Sequence, residues 1–367
     1  MHKLSSCIKQ KLGRRHAVNE DSFIIQTCLT ETTPHLSLFG VFDGHADEKA
    51  SAYVAEHLVR VLVESEAFQN GHFDEAMREC IAQLHSHMID AAVSKGGTTV
   101  SLALVDQRQE GQTTLAFLGD SPIFVRRKSV RDDVYLAFPM HHSSNPAIAT
   151  RICSRGVATA PWDLKRHPRG INLYGSIGDA LYEPEVANPI LRVATKLRAH
   201  AYAARTGSED GDENKDAVRE GEGEGEGRAS EEMGAASGGE DDVSILFKRF
   251  LEQELAEGPV LRNVRVQSPE TLSYYLADSV KVLPFSPLQR VPDIMSIPTA
   301  ELDMILIGSD GAFPLHYLHK AMDEMYKVTW FPGTEDNEVL SDLVSKLING
   351  CVSSDDKTVV AIKIAEG

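Results

Sequence analysis

Carboxylates gathered at the ends of strand-like runs are what most restrict the folds open to this chain. Asn19-Glu20-Asp21-Ser22, Val41-Phe42-Asp43-Gly44-His45, Phe117-Leu118-Gly119-Asp120-Ser121 and Ile307-Gly308-Ser309-Asp310-Gly311 each sit at the end of an apolar or β-branched run. Ser353-Ser354-Asp355-Asp356-Lys357-Thr358 opens the last such run. Alone, each is an ordinary turn, because Asp and Gly both favour bends. Brought together they repel, and crowded carboxylates are costly unless something positive neutralises them. Hard divalent cations do this through oxygen ligands, and Mg²⁺ or Mn²⁺ takes a few carboxylates while keeping several waters.

Apolar periodicity supplies the frame for these motifs. Ser22–Leu29 and Leu36–Phe42 read as strands. Ala50, Tyr53, Val54, His57, Leu58, Val61 and Leu62 then recur at helical spacing, and Phe73, Ala76, Met77, Cys80, Ile81, Leu84 and Met88 repeat the pattern. Gly96-Gly97 breaks the second helix, and Thr98–Val105 with Thr113–Arg126 read as a strand pair joined through a loop containing Gly111. Over Ala137–Asn172 the periodicity fades, which predicts an irregular excursion with a short helix around Ala147–Cys153. Strand signals return at Leu302–Ile307 and Thr358–Ile364, flanking a helical stripe from Val339 to Ile348 that Asn349-Gly350 should close. Strands, then paired helices, then strands again predict an α+β fold with antiparallel sheets.

Charge is unevenly spread. The chain carries 54 acidic and 37 basic side chains, a formal net charge of −17, which argues against electrostatic wrapping of nucleic acid. Thr206–Asp242 alone holds 14 acidic and 3 basic residues, leaving only −6 for everything else. That segment, with its Glu-Gly repeat over 220–227, nearly lacks apolar residues and is expected to be disordered. Residues 243–257 follow as an amphipathic helix capped by Asp241 or Asp242 and ended by Gly258-Pro259, and packing on its own domain is favoured over docking a partner.

Other classes fall away. No apolar run approaches the ~20 residues of a membrane span, and Met1–Lys11 lacks the apolar stretch of a secretory signal. Five scattered cysteines without C-x-x-C spacing disfavour a disulfide framework or cysteine zinc site, so the expectation is a soluble intracellular protein, cytoplasmic or nuclear, without membrane or nucleic-acid partners. His85-x-His87 and His316-x-x-His319 lack a third ligand and read as solvated faces.

Taken in order, the motifs resemble the metal-dependent Ser/Thr protein phosphatases of the PPM type (type 2C). The landmarks are Gly13, Asn19-Glu20-Asp21-Ser22, Phe42-Asp43-Gly44-His45, Gly97-Thr98-Thr99, Gly119-Asp120-Ser121, His142 with Arg151-Ile152 and Gly156, Ile177-Gly178-Asp179, Ser309-Asp310-Gly311 and Asp355-Asp356-x-Thr358. They span about 13–195 and 281–367, so the resemblance implies one phosphatase domain over 1–367 interrupted by an insertion at 196–280. It implies a four-layer α-β-β-α sandwich of two central antiparallel sheets flanked by helix pairs, and a monomer acting on phosphoproteins, with the insertion as a possible partner-binding element. Carried over by position, Asp43 bridges two Mg²⁺ or Mn²⁺ ions, Glu20 and the Gly44 carbonyl hold one, and Asp310 with Asp355 holds the other. Asp21 orients water, and Asp120 matches a ligand of a weaker third ion. A hydroxide bridging the two ions would attack phosphorus directly, with His45 protonating the departing alkoxide as general acid.

The departures from that pattern carry their own expectations. The family's phosphate-gripping Arg is replaced by His16, with Arg15 beside it, so phosphate affinity should fall or become pH-dependent unless Arg15 takes the place. Pro314 stands where a third-ion Asp is usual, which makes a third ion doubtful, and Asp47 and Gly175 replace a Gly and an Arg. The alternative is a pseudophosphatase that uses the sandwich as a binding module; the presence of Glu20, Asp43, Asp310 and Asp355 weighs against it. A serine-hydrolase reading of Gly119-Asp120-Ser121 fails for want of a downstream Asp-x-x-His.

Overall fold

The computed structural model describes residues 1–91, 93–94, 96–128, 133–142, 145–148, 150, 173–179, 289–331 and 333–367. All belong to one unit, Met1–Glu183 with Phe285–Gly367. The expected insertion at 196–280, with its acidic segment and helix, and residues 151–172 of the irregular excursion lie outside the described residues.

Numbered in chain order, the strands are β1 (Lys3–Lys11), β2 (Ser22–Gln26), β3 (Leu36–Phe42), β4 (Gly44–His45), β5 (Gly97–Thr98), β6 (Val100–Asp106), β7 (Gln112–Leu118), β8 (Ile123–Arg127), β9 (Val134–Leu136), β10 (Ile177–Gly178), β11 (Asp293–Pro298), β12 (Leu302–Gly308) and β13 (Lys357–Ala365). The helices are α1 (Lys49–Glu64), α2 (Glu66–Gln69), α3 (Phe73–Asp90), α4 (Leu318–Lys327) and α5 (Asp336–Gly350).

Alternation along β3 shows why the layers form. Leu36, Leu38 and Phe42 face one way and pack with the helices, while Phe39 and Val41 face the other and meet the second sheet. All seven residues of β3 and of β6 are buried, as befits strands covered on both faces. One sheet runs β11-β7-β6-β3-β2, the other β1-β13-β12-β8-β9, and a short ladder β10-β5-β4 lies at one end; every pairing is antiparallel. Between the large sheets, Phe39, Val105 and Phe117 pack with Val125, Ile305 and Ile362. Outside them, Val54, Leu58 and Leu62 of α1 with Ile81 and Leu84 of α3 cover the first sheet, and Leu340, Val344 and Leu347 of α5 cover the second. The α+β class and the α-β-β-α layering both agree with expectation.

Several local expectations are corrected. Thr113–Arg126 is two strands, not one: β7 ends at Leu118, the chain turns through Gly119 at φ +127°, and β8 joins the opposite sheet. The strand expected over Ser22–Leu29 stops at Gln26, because Thr27 turns its carbonyl to the Ser37 hydroxyl at 2.7 Å. Helix α5 runs through Asn349-Gly350 and stops at Cys351, which is extended. Strand β1 went unread, its apolar residues being scattered among lysines because it is a half-exposed edge strand; β11 and α4 were also missed. Among the described residues no helix is long and apolar enough to cross a membrane.

The inter-sheet core should dominate stability. Phe39→Ala is expected to cost about 3–5 kcal/mol in urea denaturation, whereas Phe331→Ala, at a ring 65% exposed, should change stability by under ~0.5 kcal/mol.

Candidate active site

The sheet registers bring the strand-end carboxylates together. Ser22 lies opposite Phe42, so Asp21 and Asp43 leave neighbouring strands at the same level. Asp120 follows β7, Asp310 follows β12, and Asp355 precedes β13, all at that end of the sandwich. Asp43 is held at both its amide and its carboxylate. Its amide donates to Thr99 Oγ1 at 3.0 Å, and its Oδ2 accepts the Asp310 amide at 3.0 Å and the Ser121 hydroxyl at 3.4 Å. Glycine is required at 44, since a Cβ there would run into the Glu20 carbonyl. That carbonyl is fixed by the Ser51 hydroxyl of α1 at 2.5 Å.

The electrostatics divide the acids into two kinds. Burial pushes the Asp43 carboxyl well above its usual range, and the charges of Asp21, Asp310 and Asp120 push it further. Burial and then Asp310 raise Asp120; burial and then Asp355 raise Asp310. Burial brings Asp21 up to about 7, and its Oδ2 is enclosed without a hydrogen-bond partner. Glu20 is also raised, chiefly by burial, although His16 opposes the shift.

Two aspartates move the other way. Asp179 is buried, but the charge and hydrogen bond of His45, together with Arg290 and Ser176, hold its carboxyl low. His45 Nε2 lies 2.8 Å from Asp179 Oδ1, and burial of the imidazole is outweighed by Asp179, Asp120 and Glu20, so its pKa is raised. Asp356 is kept low, against burial, by the amides of Gly13 at 2.6 Å and Glu20 at 2.8 Å and by His16 Nδ1 at 2.9 Å.

Each expected site residue can now be located. Glu20, Asp21, Asp43, Gly44, His45, Asp120, Asp310 and Asp355 share one end of the sandwich. His16 is turned onto Asp356, while Arg15, largely exposed, lies with Nη1 3.8 Å from Asp355 Oδ2 and favours the ionised form of Asp310. Pro314 begins a turn leading to α4, and Asp47 accepts from Ser94 Oγ at 2.6 Å and from the Lys49 amide at 3.1 Å, which ties down the start of α1. His85 is no surface residue: its Nδ1 accepts the Gly178 amide at 3.2 Å, and burial pushes it down to about 4. Sequence reasoning gave Asp179 and Asp356 no role. Both stand inside quoted motifs, so the signal was their type and place, not their partners.

The fold is that of a family. The model of protein phosphatase 2C matches residues 8–208, and the chain belongs to that family. Protein phosphatase 2C homolog 2 of Schizosaccharomyces pombe is 27% identical over 161 residues, covering 43% of this chain and 41% of that relative. The chain spans about two fifths to half the length of the curated relatives it matches in Schizosaccharomyces pombe and Paramecium tetraurelia. Among solved structures, serine-threonine phosphatase 2C from Toxoplasma gondii superposes with a TM-score of 0.50 at 14% identity, covering 99% of this chain and 98% of that one. A C. elegans sex determining protein gives 0.52 at 16% identity, covering 98% and 64%. Both show the same fold.

The family is metal-dependent, and the residues present fit such ions. Burial raises the pKa of Asp43, Asp120 and Asp310, the Asp310 charge adds to it at Asp43 and Asp120, and the buried Asp21 Oδ2 has no donor. Among the described residues no group of three or more His, Cys, Asp or Glu side chains is placed so that it could by itself hold a metal ion.

The sign of the resulting pH dependence follows directly. A carboxyl whose folded pKa is raised binds more protons folded than unfolded, so the metal-free chain loses stability as pH climbs from the ordinary carboxylate range through the raised values, about 7 for Asp21. At one fixed concentration Mn²⁺ should therefore raise the melting temperature more at pH 8 than at pH 5, the gain reaching the equivalent of about 2.7 kcal/mol wherever the ion stands at 100 times its dissociation constant. Chelation should reverse the gain, and Asp43→Asn should shrink it.

Proposed function

We propose that this chain is a metal-dependent protein serine/threonine phosphatase, hydrolysing phosphoserine and phosphothreonine in other proteins. The observation that carries the reading is one acidic cluster, Glu20, Asp43, Asp120, Asp310 and Asp355, beside a histidine whose pKa is raised by a buried aspartate. Asp43, Glu20 and the Gly44 carbonyl would hold one ion, Asp43, Asp310 and Asp355 a second, with Mg²⁺ or Mn²⁺ the fitting choices. Such ions, when bound, neutralise the carboxylates and activate water for attack on phosphorus.

The remaining work falls to this chain's own side chains. Asp21, buried beside Asp43, orients the attacking water through its unpartnered oxygen. His45 keeps Nε2 on Asp179, which leaves Nδ1 to deliver a proton to the departing serine or threonine oxygen. Arg15 takes the phosphate-binding part, because His16 is committed to Asp356 and lacks a bidentate fork.

Leaving-group chemistry provides the test. Nitrophenolate departs without help, whereas an alkoxide needs a proton. His45→Gln should therefore lower kcat on a phosphothreonine peptide by about 10²-fold or more, yet on para-nitrophenyl phosphate by under about tenfold. Asp43→Asn should abolish Mn²⁺-dependent turnover of both substrates. Mn²⁺ binding by the wild type without turnover of either would overturn the reading in favour of a binding module.

Substrate affinity gives a separate check. Arg15→Ala should raise KM for the phosphopeptide about tenfold or more while leaving kcat within about threefold, the expected loss of one charge-assisted contact to phosphate.

A further inference from the structure

We infer that His141 is a positioning residue for Asp120, and that Gly175 is the vacancy that admits it. The inference rests on the reading of Asp120 as an ion-holding carboxylate. His141 is fully buried and grips Gly119, the residue before Asp120, at both its polar groups. The His141 amide donates to the Gly119 carbonyl at 2.7 Å, and the Gly119 amide donates to His141 Nδ1 at 3.1 Å. An amide donor requires a lone pair on Nδ1, so the ring proton sits on Nε2. That atom lies 2.8 Å from Asp293 Oδ2, and Asp293 is opposite Phe117 in the β11–β7 ladder. The edge of the imidazole also meets the Phe117 ring, centroids 5.1 Å apart.

The clamp answers a specific load. At Gly119 the chain leaves one sheet for the other, with φ +127°. The next residue, Asp120, is 8% exposed and is repelled most by Asp310. A backbone free to relax there would let Asp120 swing away from the cluster. Gly175 makes the clamp possible: a Cβ at that position would press into His141 Nδ1 and lie 2.9 Å from the Gly119 amide nitrogen. The side chain that the phosphatase pattern places there is incompatible with this imidazole.

Two substitutions divide the ring's functions. His141→Asn sets a carbonyl oxygen near the Nδ1 position and can still accept from Gly119, whereas His141→Gln sets its amide near Nε2 and serves only Asp293. The measurements are calorimetric titration of Mn²⁺ into the metal-free full chain and hydrogen exchange at the Gly119 amide, with Asp120→Asn as the benchmark. His141→Asn should keep Mn²⁺ affinity within about threefold, while His141→Gln and Gly175→Ala weaken it about tenfold or more. Gly119 exchange should be slow in the wild type and in His141→Asn but fast in His141→Gln. Equal behaviour of the Asn and Gln variants, or fast exchange at Gly119 in the wild type, would overturn the clamp. If Asp120→Asn binds Mn²⁺ like the wild type, the ion-holding role of Asp120 fails instead, and the exchange pattern alone decides whether His141 holds Gly119.

Discussion

Mutual repulsion among buried carboxylates is the constraint to which the rest of this fold answers. Asp43, Asp120 and Asp310 arrive from three strands, all with raised pKa values, and the Asp310 charge raises both of the others. A flexible chain would splay them apart. Here each follows the end of a strand buried on both faces, so moving one would mean shifting a strand locked between its neighbours. Backbone amides supply part of the compensation, as where Asp310 N–H donates to Asp43 Oδ2. On the proposed function, the remainder would fall to bound ions.

The same residue type therefore does two jobs within one site. Asp21, Asp43, Asp120 and Asp310 have raised pKa values and face one another. Asp179 and Asp356 are held low, because each faces a histidine and further donors. The first group is held toward its protonated form by burial and by neighbouring charge. The second keeps its charge and uses it to orient His45 and His16. Environment makes that division, as it does wherever neighbouring carboxyls are pushed apart in pKa.

What could be read from the amino-acid order follows the same physics. Strand β3 and helix α1 were legible because their periodicity is an inherited mark of what they pack against. The strand-end carboxylates were legible as ordered motifs. The partnership of His45 with Asp179 was not, because 134 residues separate them and no local rule links a histidine to one distant acid among many. Nor was the break at Gly119, where two apolar strands belonging to opposite sheets abut with only a short turn between them. The consequence of Gly175 was likewise hidden, since a missing side chain is informative only beside the ring that fills its place.

The outer ladder of the second sheet gives the molecule a mechanical polarity. Lys3 pairs with Ala365 at one end, and Lys11 pairs with Lys357 at the other, close to Gly13, Asp355 and Asp356. A pull that separates Lys3 from Ala365 peels the two strands apart one rung at a time, beginning at the end remote from the carboxylates. The load reaches the acidic cluster only after the whole ladder has opened. Anything tethered at those two residues thus tugs on a zipper whose last teeth are the site itself.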